Sequence, residues 1–374
     1  MINLEKEIRE QPSVLASLKN ANLDVLKELV KEAKEKGIDN IYLVARGTSD
    51  HACTYAQYLF AITMGMNCAL GTPSVFTQYG QKIKFNNALV IGVSQSGRAE
   101  DVCEVLKSAN EQGMTTVAIT NYKDSLLATN AKYHLFCNAG EEKSIAATKT
   151  FTSQMYLLAL LCAMWSENKE LNNALEAIPA QFEKALDYLP QSVEEQVAKL
   201  LDYKEAVVLG RGLAYPIALE GALKILETNK MKVKGYTISD FYHGPVAQLH
   251  EGDLAIVLAQ TGVMLPDGIK MLKKLDTVKA NSVIITDDKE LANSENAIYI
   301  ESTGSEYSLM FLMALTVQLI ALKLVIAKGI DPDKSDAIAK ITDTKKILLS
   351  LLTFGGFYER ELLRRIEGYR HERL

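Results

Sequence analysis

Short apolar runs, each ending in a glycine-containing polar corner and followed by a stretch with helical spacing, recur along most of this chain. Residues 41–60, IYLVARGTSDHACTYAQYLF, read as strand, Arg46-Gly47, helix. Residues 206–225, AVVLGRGLAYPIALEGALKI, repeat that order around Arg211-Gly212. Gly47 and Gly212 are 165 residues apart, and so are Gly97 and Gly262, which close ALVIGVSQSG (88–97) and DLAIVLAQTG (253–262). Helical segments follow (Ala99–Glu111 and Gly268–Val278), then TTVAIT (115–120) and NSVIIT (281–286), and each half ends in a long apolar helix, 151–165 and 308–327. A spacing held over four successive elements marks an internal duplication. Each half therefore reads βαβαβ, one further short strand and a helix. Apolar strands alternating with helices predict mainly parallel sheets covered on both faces, so the fold class is α/β, two tandem doubly wound domains. The expected division is 1–190 for an N-terminal helix plus the first domain, 191–345 for the second, and 346–374 for a C-terminal extension. Pro190 and a charged helix over Val193–Asp202 mark the expected seam, near Tyr188–Ala198.

Two apolar runs invite a membrane reading. Gln154–Trp165 is too short to span a bilayer, and Leu309–Ile326 carries Gln318 and Lys323, so both are expected as buried core or subunit-interface helices. The chain has 374 residues, ample for two cores, with 48% hydrophobic and 23% charged residues. A net charge of -5 and the lack of a Lys/Arg stripe with interleaved aromatics argue against nucleic acid as partner. The five cysteines, Cys53, Cys68, Cys103, Cys137 and Cys162, are scattered and never in C-x-x-C spacing. They read as buried free thiols of a reducing cytosol, with no metal site expected. The N-terminal MINLEKEIREQPSVLASL is charged and amphipathic, without a signal-peptide core.

Ligands of doubly wound sheets sit beyond the carboxyl ends of the strands, where the Gly-rich corners of both halves fall. In the first half Gly47-Thr48-Ser49 follows strand Ile41–Ala45, and Ser94-Gln95-Ser96-Gly97 follows Leu89–Val93. A strand ending in a small-residue loop that opens a helix offers free N–H groups, a positive helix end and hydroxyls to an anion. Either loop alone also fits a plain N-capped helix; two in one half point to a phosphate. Neither has G-x-G-x-x-G spacing or a Walker lysine, which disfavours nucleotides. In the second half Leu213-Ala214 replace Thr48-Ser49. There a helix expected from Pro216 carries Glu220, Lys224 and Glu227 at i, i+4 and i+7, a polar face in an apolar segment, and His243 follows in an HGP turn. One half thus reads as specialised for an anion, the other for catalysis.

The segments RGTSDHA (46–52), SQSG (94–97), AATKTFTSQ (146–154), LGRGLAYPIALEGALKILE (209–227), HGP (243–245) and KGIDPDKSDAIAK (328–340) resemble the sugar isomerase (SIS) family. The likeness is strongest to the isomerase half of glutamine:fructose-6-phosphate amidotransferases, and the SIS domain is flavodoxin-like. The resemblance implies that Ser49, Ser94, Gln95 and Ser96, with Gly47 at the corner, hold a sugar phosphate. It sets Thr48 and the backbone of Ile145, Ala146 and Thr148 near the sugar hydroxyls. Glu227 matches the base that moves a proton between C1 and C2, and Lys224 the group that steadies the developing enediolate oxygen. His243 matches an imidazole that helps open the sugar ring and, in relatives, reaches across from the partner subunit. Lys340 matches a lysine that forms a Schiff base with the keto sugar.

Three departures from the synthase pattern shape the expected activity. The sequence starts at Met1-Ile2 without a glutamine-hydrolysing domain, SQSG is followed by Arg98-Ala99, and Lys340 precedes a further segment ending in ILLSLLTFGGFYERELLRRIEGYRHERL. The expectation is a cytosolic enzyme that interconverts aldose and ketose forms of an amino-sugar 6-phosphate (gluco or galacto) and releases the amine, without glutaminase activity. Alternatives are a deglycase of 6-phosphorylated fructosamines and a non-catalytic sugar-phosphate sensor. No cofactor or membrane is expected, and the protein is expected to be at least a homodimer with the site shared between subunits.

Overall fold

A computed structural model describes residues 2–301 and 303–334. The amphipathic N-terminus forms one long helix, α1 (Asn3–Glu35), whose apolar stripe includes Leu4, Ile8, Leu15 and Leu18. The first half continues as β1 (Asn40–Val44), α2 (Thr48–Met64), β2 (Asn67–Leu70), α3 (Pro73–Thr77), β3 (Ala88–Val93), α4 (Glu100–Glu111), β4 (Thr115–Thr120), α5 (Leu126–Asn130), β5 (Tyr133–Phe136) and α6 (Lys149–Ser166). After α7 (Lys169–Val197) the second half runs β6 (Glu205–Gly210), α8 (Ala214–Asn229), β7 (Lys232–Thr237), α9 (Ile238–Tyr242), β8 (Leu254–Ala259), α10 (Leu265–Val278), β9 (Asn281–Thr286), β10 (Ala297–Tyr299) and α11 (Glu306–Ala327).

Each half is a five-stranded parallel sheet in the same spatial order, β2-β1-β3-β4-β5 and β7-β6-β8-β9-β10. This is the doubly wound arrangement read from the repeat, in the flavodoxin-like strand order that the resemblance implies. The central strands β3, β4 and β8 are buried at every residue, which is why β3 and β8 read as unbroken apolar runs and the threonines of β4 are buried. Because the chain leaves β1 toward one edge and β3 toward the other, the loops after these two paired strands (Val44 opposite Gly92) flank a crevice at the switch point.

Three local readings need correction. Each sheet has a fifth strand, β2 or β7, that the apolar pattern misses. NCAL is four residues long, and KVKGYT alternates exposed lysines with buried positions, as a half-covered edge strand does. Helix α8 begins at Ala214, not Pro216. Gly212, at φ 58, turns the chain, and the N–H groups of Ala214 and Tyr215 bond the carbonyls of Arg211 and Gly212, so Pro216 falls within the first turn. The charged helix expected over Val193–Asp202 is not a separate one: it is the end of α7, which runs through Pro190 to Val197, with Phe182, Leu189, Val193 and Val197 carrying a buried stripe across the proline. Packing of that stripe outweighs the hydrogen bond that a proline removes.

The two apolar runs are the buried helices α6 and α11, as expected. Helix α11 is long and apolar enough to cross a membrane, yet it packs against α7 and α8 and is buried along nearly its whole length. All five cysteines are free and buried. Lys340 and the segment 346–374 lie outside the described residues.

Candidate active site at the junction of the two halves

Gly47 sets up the first corner. It takes φ 54 at the N-cap of α2, a conformation open to glycine. Thr48 and buried Ser49 form the first turn, and their backbone N–H groups meet no acceptor among the described residues. The second corner is tighter. Gly97, at φ 63, donates to Ser94 Oγ at 3.1 Å, and a Cβ there would lie 2.1 Å from Ser125 Oγ. Ser96 Oγ accepts from the N–H of Arg98 at 3.3 Å, while the N–H groups of Gln95 and Ser96 have no acceptor among the described residues. Two adjacent corners thus present unused donors at the carboxyl edge of one sheet, the chemistry of an anion cradle.

The duplicated corner after β8 has lost that capacity. The N–H and hydroxyl of Thr261, the counterpart of Ser96, both donate to the Asp287 carboxylate, at 2.8 and 2.6 Å. In the first half Asn121 holds the position of Asp287 and turns its side chain to Ala139 and Gly140. The corner after β8 carries its own anion; its counterpart after β3 stands open. The scaffold beneath is common to both halves: Arg46 pairs with Asp101 at 2.7 Å, and Arg211 with Asp267 at 3.0 Å.

The loop entering α6 is held from below. Buried Glu142 accepts from the N–H groups of Thr148 and Thr150 (3.0 and 3.1 Å), and Glu7 of α1 accepts from Lys143 and Ser144. Ile145 is half-buried, and Ala146 and Thr148 are buried. Thr148 Oγ1 has no hydrogen-bond partner among the described residues.

Helix α8 of the second half lies against α2 of the first. Lys224, 1% exposed, donates to Glu227 Oε2 at 2.6 Å and to Thr48 Oγ1 at 3.1 Å, and its Nζ lies 3.3 Å from Glu220 Oε1. Glu220 is wholly buried and takes a further hydrogen bond from Thr48 Oγ1 at 3.1 Å, with His51 Nδ1 at 2.7 Å from its other oxygen. Burial works to neutralise both ions of this pair. Even so, the charge of Lys224 and the contacts from His51 hold the Glu220 carboxyl below its usual range. Likewise Glu220 and Glu227 raise Lys224 above the usual amine range despite its burial. The amine therefore stays an ammonium between two carboxylates, the outer of which, Glu227, keeps 17% of its side chain exposed.

The structure thus joins Thr48, Lys224 and Glu227, with Ser49 and Ser94–Ser96 on corners that follow neighbouring strands. It does not bring His243 to them within one chain: that residue is exposed, at the end of α9 beyond the edge strand β7. Sequence reasoning overlooked His51 and Asp287. Both act through partners distant in the chain, though His51 stands one helical turn after Thr48, the spacing that shares a face.

Two copies of a doubly wound sheet, with an anion corner in one and a buried Lys–Glu pair in the other, make up an α/β protein of tandem domains. The SIS domain model matches residues 33–164 and 199–328, and the chain belongs to that family. Curated relatives include the isomerizing glutamine–fructose-6-phosphate aminotransferases of Clostridium tetani and Escherichia coli K12. They are 32% and 30% identical, over 90% of this chain and 58% of theirs, so the chain spans under three fifths of their length. Among solved structures, the C-terminal domain of the Francisella tularensis glucosamine-fructose-6-phosphate aminotransferase superposes with a TM-score of 0.77 at 26% identity, covering 90% of this chain and 98% of that one. Glucosamine-6-phosphate deaminase from Thermotoga maritima shares the fold, with a TM-score of 0.72 at 20% identity over 91% and 99% of the two chains.

Proposed function

We infer that this protein is a phosphosugar isomerase that deaminates an amino-sugar 6-phosphate. The observation that carries the reading is the hydrogen bond from Lys224, the partner of Glu227, to Thr48 at the mouth of the anion corner. It ties a candidate proton-transfer pair to the loops that would hold the phosphate.

In this reading the phosphate takes the N–H groups of Gln95 and Ser96 and the hydroxyls of Ser49, Ser94 and Ser96. The Ile145–Thr148 backbone faces the sugar. Glu227 removes the proton from C2 of the open-chain aldose, leaving an enolamine whose C1 oxygen is steadied by Lys224. Return of that proton to C1, with an amine N–H proton passing to the C1 oxygen, gives the C2 imine, and addition of water to the imine expels ammonia and leaves the ketose phosphate. His243 serves ring opening from a second subunit, and Lys340 supplies an amine to the keto sugar. The five free thiols fit a reducing compartment.

Mixing the purified protein with glucosamine 6-phosphate, galactosamine 6-phosphate and 6-phosphorylated fructosamines tests the reading. Ammonia release from an amino sugar is the expected result. Turnover of fructosamine phosphates alone, or none with any of the panel, would overturn it.

A further inference from the structure

His51 and Glu220 are the members of the cluster to which the proposed chemistry gives no task. Nδ1 of His51 lies 2.7 Å from Glu220 Oε2. Glu220 is kept ionised and can only accept, so Nδ1 carries the hydrogen between them. The fold does not require this pair. Its repeat-related position in the second half, 165 residues on, is Pro216, and Tyr55 stands where the repeat would put Glu220. The repeat-related helix positions, Tyr55 on α2 and Pro216 on α8, therefore carry no such charged pair.

The need arises from Lys224. This buried ammonium has two carboxylate neighbours, at 2.6 Å (Glu227) and 3.3 Å (Glu220). If Glu227 takes a proton from the sugar carbon, its charge is gone for the lifetime of the intermediate. The charge moves to the C1 oxygen of the intermediate and is lost there again as the proton reaches C1. A buried ammonium therefore needs a second, fixed counter-ion to keep its proton and its position through the cycle. Glu220 is the only other carboxylate on Lys224 among the described residues, and three groups fix it: His51, Thr48 and Lys224 itself.

We propose that His51 is a positioning residue, whose hydrogen bond holds Glu220 as the fixed counter-ion that keeps Lys224 charged and in place while Glu227 alternates between carboxylate and acid. The proton travels from C2 to Glu227 and on to C1, and Lys224, Glu220 and His51 neither gain nor lose one. An imidazole oriented by a buried carboxylate is a familiar pairing; here the orientation runs the other way. The proposal rests on Glu227 being the base.

The test uses His51→Ala and His51→Asn in the full chain. A hydrogen bond to a charged group corresponds to about a ten- to hundredfold effect, so His51→Ala is expected to lower kcat by about that factor. KM for the sugar phosphate should stay within about threefold, because the phosphate corners are untouched. His51→Asn, whose amide N–H sits near the place of Nδ1, should recover most of the rate. Wild-type kcat in the alanine variant, or an asparagine variant as slow as it, would overturn the proposal. A second readout needs no turnover: His51→Ala and Glu220→Gln, alone and combined, in urea unfolding. Non-additive effects are expected, and additive ones would sink the pairing. Should the wild type turn over no substrate, the failure falls on the proposed function, and the unfolding cycle still decides whether His51 holds Glu220.

Discussion

At the scale of single residues, the anion corner depends on Gly97. A side chain there meets both a left-handed backbone and the Ser125 hydroxyl, 2.1 Å from the would-be Cβ. Gly97→Ala is therefore expected to lower stability by about 1–3 kcal/mol and to weaken sugar-phosphate binding at least tenfold. Thermal unfolding and calorimetric titration check both effects; an unchanged affinity would mean that the corner does not hold the ligand. Glu220, Lys224 and Glu227 were legible in the sequence because helical spacing put them on one face. His51 and Asp287 were not. The partner of His51 is 169 residues away, and Asp287 matters only because its repeat counterpart is the neutral Asn121. No local period reports contacts of that kind.

At the scale of elements, the strands and helices that are buried throughout were legible, whereas the edge strands β2 and β7 were not. Both are half-covered and lack an apolar run; β5 and β10, the opposite edges, are only partly buried too but were read as the further short strand of each half. Helix α7 hid its continuity behind Pro190, since a local rule about proline gave way to a stripe of tertiary contacts. The attachment of α1 to its sheet is also testable. Glu32 is partly desolvated, which works to raise its carboxyl. Hydrogen bonds from Lys132, Lys36, Tyr133 and Thr115 outweigh this and bring it from 4.5 to about 2. A carboxyl lowered by folding contributes stability that is fully present above its unfolded value and is lost as pH falls through the folded one. Glu32→Gln should therefore destabilise the protein at neutral pH, with the deficit shrinking between about pH 4.5 and 2. Urea unfolding over that range checks it, and a deficit independent of pH would contradict it.

At the scale of the whole molecule, the duplication explains both what the halves share and where they part. The Arg46–Asp101 and Arg211–Asp267 pairs brace equivalent corners, but Asp287 fills the corner after β8 with its own carboxylate. Calorimetry with a sugar phosphate should accordingly give one site per chain; two equivalent sites would contradict the assignment of Asp287. The halves are also joined inside the core. Gln11 of α1 donates to Gln318 of α11 at 2.8 Å and accepts from Thr152 of α6 at 2.8 Å. Gln11→Leu leaves the buried Gln318 amide oxygen without its donor, while Thr152 keeps the Lys149 carbonyl at 3.3 Å, for a loss of about 1–3 kcal/mol, and adding Gln318→Leu should cost less than the sum of the two single changes. The central claim is that α8 supplies the proton-transferring carboxylate to an anion cradle built by the other half. It is tested most directly by comparing Glu227→Gln with the wild type for turnover of an amino-sugar 6-phosphate and for its calorimetric affinity. The expected result is a rate lower by about 10²–10⁴-fold, with affinity within about threefold. A variant that keeps near-normal turnover would contradict the account.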